Sequence, residues 1–304
     1  MTVRPASSTL LPLGAAALGI ATFAVMDGLM KSAGTAIGVY QAMLIRSAFG
    51  AVFTMPLWRL RGGKWPARAI LKLHVRRAFV SAAMATLFFW GLVRTPMAEA
   101  IALSFIAPLI ALYLAAAVLG ERIERGAILA SLLGLAGVVV IAIARAGAGQ
   151  PTPDAAWGIA AVLASALLYA YNLILQRQQA QLAVPLEIAA FQNTLVFLIM
   201  ACFAPFLAQP IDLGTLPLLA GAAAIAVVSL MLLSWGYARA ETQVLLPVEY
   251  TAFVWVALIG WYWFGEAVTA ATFAGTVLIV AGCLLAARRR PAGQPVDHAE
   301  QTAL

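Results

Sequence analysis

The chain has 304 residues, 63% of them hydrophobic and 10% charged, with a formal net charge of +7. Soluble domains carry roughly 25% charged residues, so this balance and a mean hydropathy of +0.95 exclude an ordinary soluble domain. The apolar runs are about 20 residues long, which fits membrane-spanning helices and excludes the ten-residue alternation of a β-barrel.

Ten spans are expected in chain order, over 11–30, 37–57, 77–93, 99–119, 127–144, 157–177, 187–207, 216–237, 245–264 and 269–287. The third is the shortest. The first follows Arg4 and superficially resembles a signal peptide, but it runs longer than a signal core and ends in Asp27 and Lys31. The two cysteines, Cys202 and Cys283, lie inside apolar spans and read as packing residues. The histidines fall outside the spans: His74 is placed in a basic loop and His298 in the tail. Neither a metal centre nor a bound cofactor is implied, and a membrane-embedded enzyme lacks an intramembrane base.

Orientation follows from Lys and Arg. One side of the membrane carries Arg4, the 59–77 loop, Arg122, Arg125, Arg177, Arg239 and Arg288 to Arg290, or 15 of the 19 basic residues. The other carries Lys31, Arg94 and Arg145, while Arg46 lies within the second span. The positive-inside rule then puts both termini in the cytoplasm of a multi-pass inner-membrane protein. The positive charge is a topology signal in short loops and does not imply nucleic acid.

The ninth span, from Leu245, carries Pro247, Glu249 and Tyr250 near its start and closes on Gly265-Glu266. The fourth closes on Gly120-Glu121, 145 positions earlier. At that shift Arg94 falls on Arg239, Ala107 on Ala252 and Gly137 on Gly282. The chain therefore reads as two copies of one unit, 1–145 and 157–287, with a periplasmic linker at 146–156 and a cytoplasmic tail at 288–304. Five spans per unit is an odd number, so the copies enter the membrane from opposite sides. The expected fold is an all-α integral membrane protein of ten transmembrane helices in two inverted five-helix repeats.

Pro108 to Glu121 and Pro247 to Glu266, in a ten-span duplication of this length, resemble the drug/metabolite transporter superfamily. Each half is similar to an EamA-type unit. Phe253 stands where a proline opposite Pro108 would fall. The chain is also similar to bacterial aromatic amino-acid exporters of the YddG type. The resemblance implies a cavity formed by the first, third, fourth, sixth, eighth and ninth spans. It also implies secondary transport of aromatic or other hydrophobic amino acids. Other organic metabolites and cationic drugs remain alternative cargoes. It implies a packing role for the fifth and tenth spans, with small residues at Ala130/Gly134 and Ala271/Gly275 and a homodimer as one use of that surface.

Several residues are candidates for the cavity. Asp27 could hold a substrate ammonium or a proton, or simply pair with Lys31 one turn on. Arg46 could grip a carboxylate, or neutralise Asp27 across the first hairpin. Glu249 and Tyr250 sit about one turn inside the cytoplasmic surface, with Arg239 as a structural partner for Glu249. Asn172 and Gln176 share a helical face beside Tyr169 and Tyr171, and a rough repeat alignment brings Tyr171 and Asn172 near Asp27. Gln192, Asn193 and Thr194 suggest a vestibule. Trp90, Phe105, Trp235 and Trp255 lie deep enough to stack on a flat cargo, whereas Trp58, Trp157, Trp261, Tyr262 and Trp263 read as interface anchors.

Overall fold

A computed structural model describes residues 7–107, 110, 113–114, 125–147, 153–210, 212–237 and 251–288. The described residues contain helices and no strand. In chain order these are α1 (Ser7–Ile37), α2 (Val39–Leu60), α3 (Arg68–Leu92), α4 (Met97–Ser104) and α5 (Arg125–Gly147). Then come α6 (Pro153–Leu182), α7 (Pro185–Leu207), α8 (Leu216–Tyr237), α9 (Ala252–Phe264) and α10 (Ala270–Arg288). Five stretches are long and apolar enough to cross a membrane: Leu11–Ile37, Arg68–Leu92, Asp154–Gln176, Pro185–Leu207 and Leu213–Gly236. Leu132–Ile141, Ala252–Phe264 and Ala270–Gly282 are shorter apolar helical stretches.

The helix ends have local causes. Gly38, with φ of 80°, breaks the helical path between α1 and α2. Pro185 opens α7 at a position where its missing N–H is harmless. Gly265 closes α9 in the left-handed conformation, φ 64°. Its N–H donates to the Trp261 carbonyl at 3.1 Å, and the Glu266 N–H donates to Gly260 at 3.0 Å. The Gly-Glu pair that ends the span is thus a helix-terminating motif that also aims the Glu266 side chain.

The third span differs most from expectation. It begins at Arg68 rather than at 77. Arg68, Lys72 and Arg76 recur every four residues, so they occupy one exposed face of a helix. The charges disguised an amphipathic first half as a loop. On the opposite face His74 and Arg77 are buried.

The packing order closes a ring. Going round it, α1 packs on α8, α8 on α2, α2 on α7 and α7 on α3. It continues with α3 on α6, α6 on α4, α4 on α9, and α9 back on α1. The α5 and α10 helices pair with each other and touch α4 beside the ring. Exchanging α1–α5 with α6–α10 leaves the eight-helix ring unchanged, while α5 and α10 both lie against α4. The pairs α2/α7, α4/α9 and α5/α10 map on to themselves, and α1/α8 maps on to α6/α3.

Glycines allow the close crossings. A side chain at Gly91 of α3 would lie 2.6 Å from both the Gly158 carbonyl and Val162 of α6. In the exchanged pair, Gly236 of α8 faces the Pro12 carbonyl at 3.2 Å and Ala16 of α1. Gly91 and Gly236 are 145 positions apart. Where α5 crosses α10, Gly137 meets the Gly275 carbonyl and Ile279. Gly275, one of the small residues singled out in the tenth span, thus sits in a backbone contact.

Candidate functional site

Two polar clusters stand at opposite ends of α3. The first ties α1, α4 and α9 together. Lys31 of α1 is 6% exposed and forms an ion pair with Glu266. Its ammonium also donates to the Thr95 carbonyl at 2.7 Å and lies 5.2 Å from the centre of the Phe264 ring. The other carboxylate oxygen of Glu266 accepts from the Met97 N–H at 2.7 Å, in the first turn of α4. A carboxylate there meets the positive end of the helix. Gly260 makes room, since a Cβ would lie 2.9 Å from that oxygen.

Lys31 thus has Glu266, from the other half of the chain, as an ion-pair partner. Asp27 is half-buried, and the charge acting on it is that of Arg46. Asp27 and Arg46 are not at ion-pair distance. Arg46 Nη2 touches the Met43 sulfur at 3.8 Å, and its Nε is buried without a hydrogen-bond partner. Ser47 Oγ, Gln192 Oε1 and Thr194 Oγ1 are likewise buried and unpartnered, on α2 and α7. Asn193 is engaged in the helix contact itself, donating to Ala189 at 2.9 Å and packing on Gly50.

The second cluster joins α3, α6 and α7. Arg77 is 4% exposed; its Nε donates to Asn172 Oδ1 at 3.3 Å and its Nη1 to Gln179 Oε1 at 2.5 Å. Ser81 Oγ donates to the same Asn172 oxygen at 3.0 Å. Gln179 Nε2 lies 2.5 Å from His74 Nδ1, and His74 Nε2 lies 3.3 Å from Glu187 Oε1. The donor directions are forced. A guanidinium can only donate, so Gln179 turns its oxygen to Arg77 and its NH2 to His74. His74 Nδ1 then accepts, and its Nε2–H donates to Glu187. The His74 ring stacks on Phe191 at 4.8 Å.

This cluster contains Asn172 and, seven residues further along the same helix, Gln179. His74 belongs to a buried helix face and not to a loop, which removes one argument used against intramembrane chemistry. Arg77, Ser81, His74, Gln179 and Glu187 were not singled out. The signal was present: positions 74, 77 and 81 recur on one helical face, and Gln179 lies two turns beyond Asn172.

The aromatic candidates separate. Phe105 is buried in the main core, and Trp235 is half-buried. The Trp90 ring lies 3.7 Å beneath the Arg94 guanidinium, and Arg94 binds Asp154 at 2.9 Å. Tyr171 carries Arg76 over its ring at 5.1 Å. Trp58 was read as an interface anchor but is 2% exposed, packed edge-on against Phe191 and Trp65. Trp255 was read as internal but is exposed, and with Tyr262 and Trp263 it lines an apolar groove of about 390 Å³ between α1 and α9. Trp157, Trp261, Tyr262 and Trp263 are exposed. Glu249, Tyr250, Pro247, Pro108 and Gly120-Glu121 lie outside the described residues.

A closed ring of apolar helices, symmetric under exchange of its halves and with polar clusters buried within it, defines a multi-pass membrane transporter. The family follows directly: the chain belongs to the EamA-like transporter family, whose model matches residues 10–143 and again 156–288. The "Pseudopaline exporter CntI" of Pseudomonas aeruginosa (strain UCBPP-PA14) is 25% identical over 279 residues, 90% of this chain and 95% of that one. The "Probable terminal-alkyne amino-acid exporter" of Streptantibioticus cattleyicolor is 30% identical over 219 residues, 66% of this chain and 67% of that one. A protein crystal structure at 24% identity matches with a TM-score of 0.61, covering 93% of this chain and 97% of that one. That likeness concerns the fold alone.

Proposed function

We propose that this protein is a secondary transporter that exports amino acids or amino-acid derivatives across the bacterial inner membrane by alternating access. In this reading the two units, 1–145 and 157–287, are inverted five-helix repeats joined outside at 146–156, with both termini and the 288–304 tail in the cytoplasm. The carrying observation is the exchange symmetry of the helix ring. A bundle whose two halves make interchangeable contacts has two conformations of similar energy, each the other with the halves' roles swapped. The relatives support an exporter of amino-acid-like metabolites. Aromatic or other hydrophobic cargo is the narrower reading, supported by the apolar helix faces and the resemblance to aromatic amino-acid exporters.

An organic cation is the second reading, favoured by half-buried Asp27 and weakened by Arg46, whose charge offsets it. Counterflow in proteoliposomes decides. Vesicles loaded with unlabelled candidates are offered labelled phenylalanine, tryptophan, threonine and an organic cation. Accumulation of the amino acids is the expected result. Cation exchange alone, abolished by Asp27→Asn, would reverse the order of the two readings.

A further inference from the structure

Arg77 is a buried charge without an ion-pair partner among the described residues. Ion pairs join Lys31 to Glu266, His74 to Glu187 and Arg94 to Asp154. Arg77 is in none of them. Its partners in contact are two neutral amides, from Asn172 and Gln179. Taking a guanidinium out of water without a counter-ion is expensive, and intramembrane charges persist where they serve a function.

We propose that Arg77 binds the carboxylate of the cargo, with Asn172 as the second donor. This rests on the export reading above and narrows it to substrates that carry a carboxylate. Nε and one hydrogen of Nη1 are committed to Asn172 and Gln179. The remaining Nη1 hydrogen and the Nη2 hydrogens form the outward fork of the guanidinium, the shape that takes a carboxylate through two parallel bonds. Asn172 Oδ1 accepts from both Arg77 and Ser81, which turns its own NH2 away from them. Neither Arg77 Nη2 nor Asn172 Nδ2 donates to a described residue, and neither belongs to the enclosed unpartnered atoms. Two unspent donors thus stand on two bonded residues.

The surroundings hold the fork in place before cargo arrives. The one-way relay from Arg77 through Gln179 and His74 ends on Glu187, so the negative charge lies at the far end of the chain of bonds. It fixes the orientation of Gln179 without reaching the guanidinium. Preorganised donors of this kind add affinity because little is ordered on binding. Arg77 lies nine residues, about 14 Å of helix, from the start of α3 at Arg68. That is on the side where the exposed Arg68, Lys72 and Arg76 begin the helix, the side from which an exporter loads.

The test uses the full chain in proteoliposomes, with counterflow of labelled phenylalanine. Two competitors separate the ends of the amino acid: N-acetylphenylalanine keeps the carboxylate, and phenylalaninamide keeps only the ammonium. The wild type should be inhibited by the first and not the second. Arg77→Gln should raise the half-saturating phenylalanine concentration about tenfold or more, the loss of a charged hydrogen bond, and erase the difference between competitors. Arg77→Lys, which keeps the charge and not the fork, should fall between. Asn172→Asp provides an independent arm that does not depend on the folding of Arg77→Gln. It gives Arg77 an internal carboxylate, should stay monodisperse in detergent, and should suppress phenylalanine exchange. Phenylalaninamide competing as well as N-acetylphenylalanine in the wild type overturns the proposal, as does wild-type half-saturation in folded Arg77→Gln or Asn172→Asp. A wild type that exchanges no amino acid at all refutes the export reading itself, and the proposal with it.

Discussion

Glu266 is the residue whose loss should be felt most at the Lys31 end. Glu266→Gln keeps the side-chain volume and an oxygen for the Met97 N–H, but removes the charge opposite Lys31. Breaking a buried pair by removing one partner costs about 3–5 kcal/mol. Here the Glu266 side chain is 19% exposed, and Lys31 keeps the Thr95 carbonyl and the Phe264 ring. The low end, about 3 kcal/mol, is therefore expected. At about 2–4 °C per kcal/mol, the melting midpoint followed by tryptophan fluorescence in detergent should fall by about 6–12 °C. Lys31→Met removes the stranded cation, so the double variant should lie above the sum of the two singles by about 2 kcal/mol. Additive effects, within about 0.5 kcal/mol, would show that the two charges are not coupled and refute the reasoning. The pair also ties α1 of one half to the end of α9 in the other. It can persist only while that end of the ring is closed, so the same variant should favour opening there, read as faster labelling of a cysteine placed at Thr35.

Three further substitutions test the packing. Gly91→Val puts a branched side chain 2.6 Å from the Gly158 carbonyl, which is backbone and cannot rotate away; it should lower stability by about 1–3 kcal/mol in the same unfolding measurement. Trp58→Ala should cost about 3–5 kcal/mol because the ring is buried against Phe191, whereas Trp157→Ala, at an exposed ring, should stay within about 0.5 kcal/mol. Equal effects of the two tryptophan variants would overturn the placement of Trp58 in the core.

What could be read from the sequence depended on whether a feature was carried by apolar length or by contact. The eighth span runs over 216–237 in both sequence and structure, because nothing in it interrupts the hydrophobic pattern. The third span was shortened by nine residues because Arg68, Lys72 and Arg76 look like a loop unless their four-residue spacing is weighed. That single misplacement hid His74 and Arg77, and with them half of the buried cluster. Asn172 was legible as a polar residue deep in an apolar span; that Arg77 would be its partner was not, since they are 95 residues apart and belong to different halves. Lys31 illustrates the limit of local reasoning. Asp27 is one turn away, yet the ammonium chose a carboxylate 235 positions on, because helix α9 brings Glu266 to it already oriented by the turn at Gly265.

The halves match in packing more closely than in charge. At the 145-residue shift Trp90 falls on Trp235, Gly91 on Gly236 and Asp27 on Asn172. The two glycines stand at the helix crossings of both halves. The polar positions diverge. Asp27 becomes a neutral amide, and Arg77 falls on Ala222. Lys31 falls on Gln176, while its partner Glu266 falls on Glu121. The ionic contact that ties α1 to the end of α9 therefore has no cation at the repeat-related position. On the alternating-access reading proposed above, halves with matching ring contacts and unequal charges would keep two conformations close in energy without making them equal. In that reading the symmetry of the ring lets the molecule turn over, and the few buried charges distinguish one end of the ring from the other.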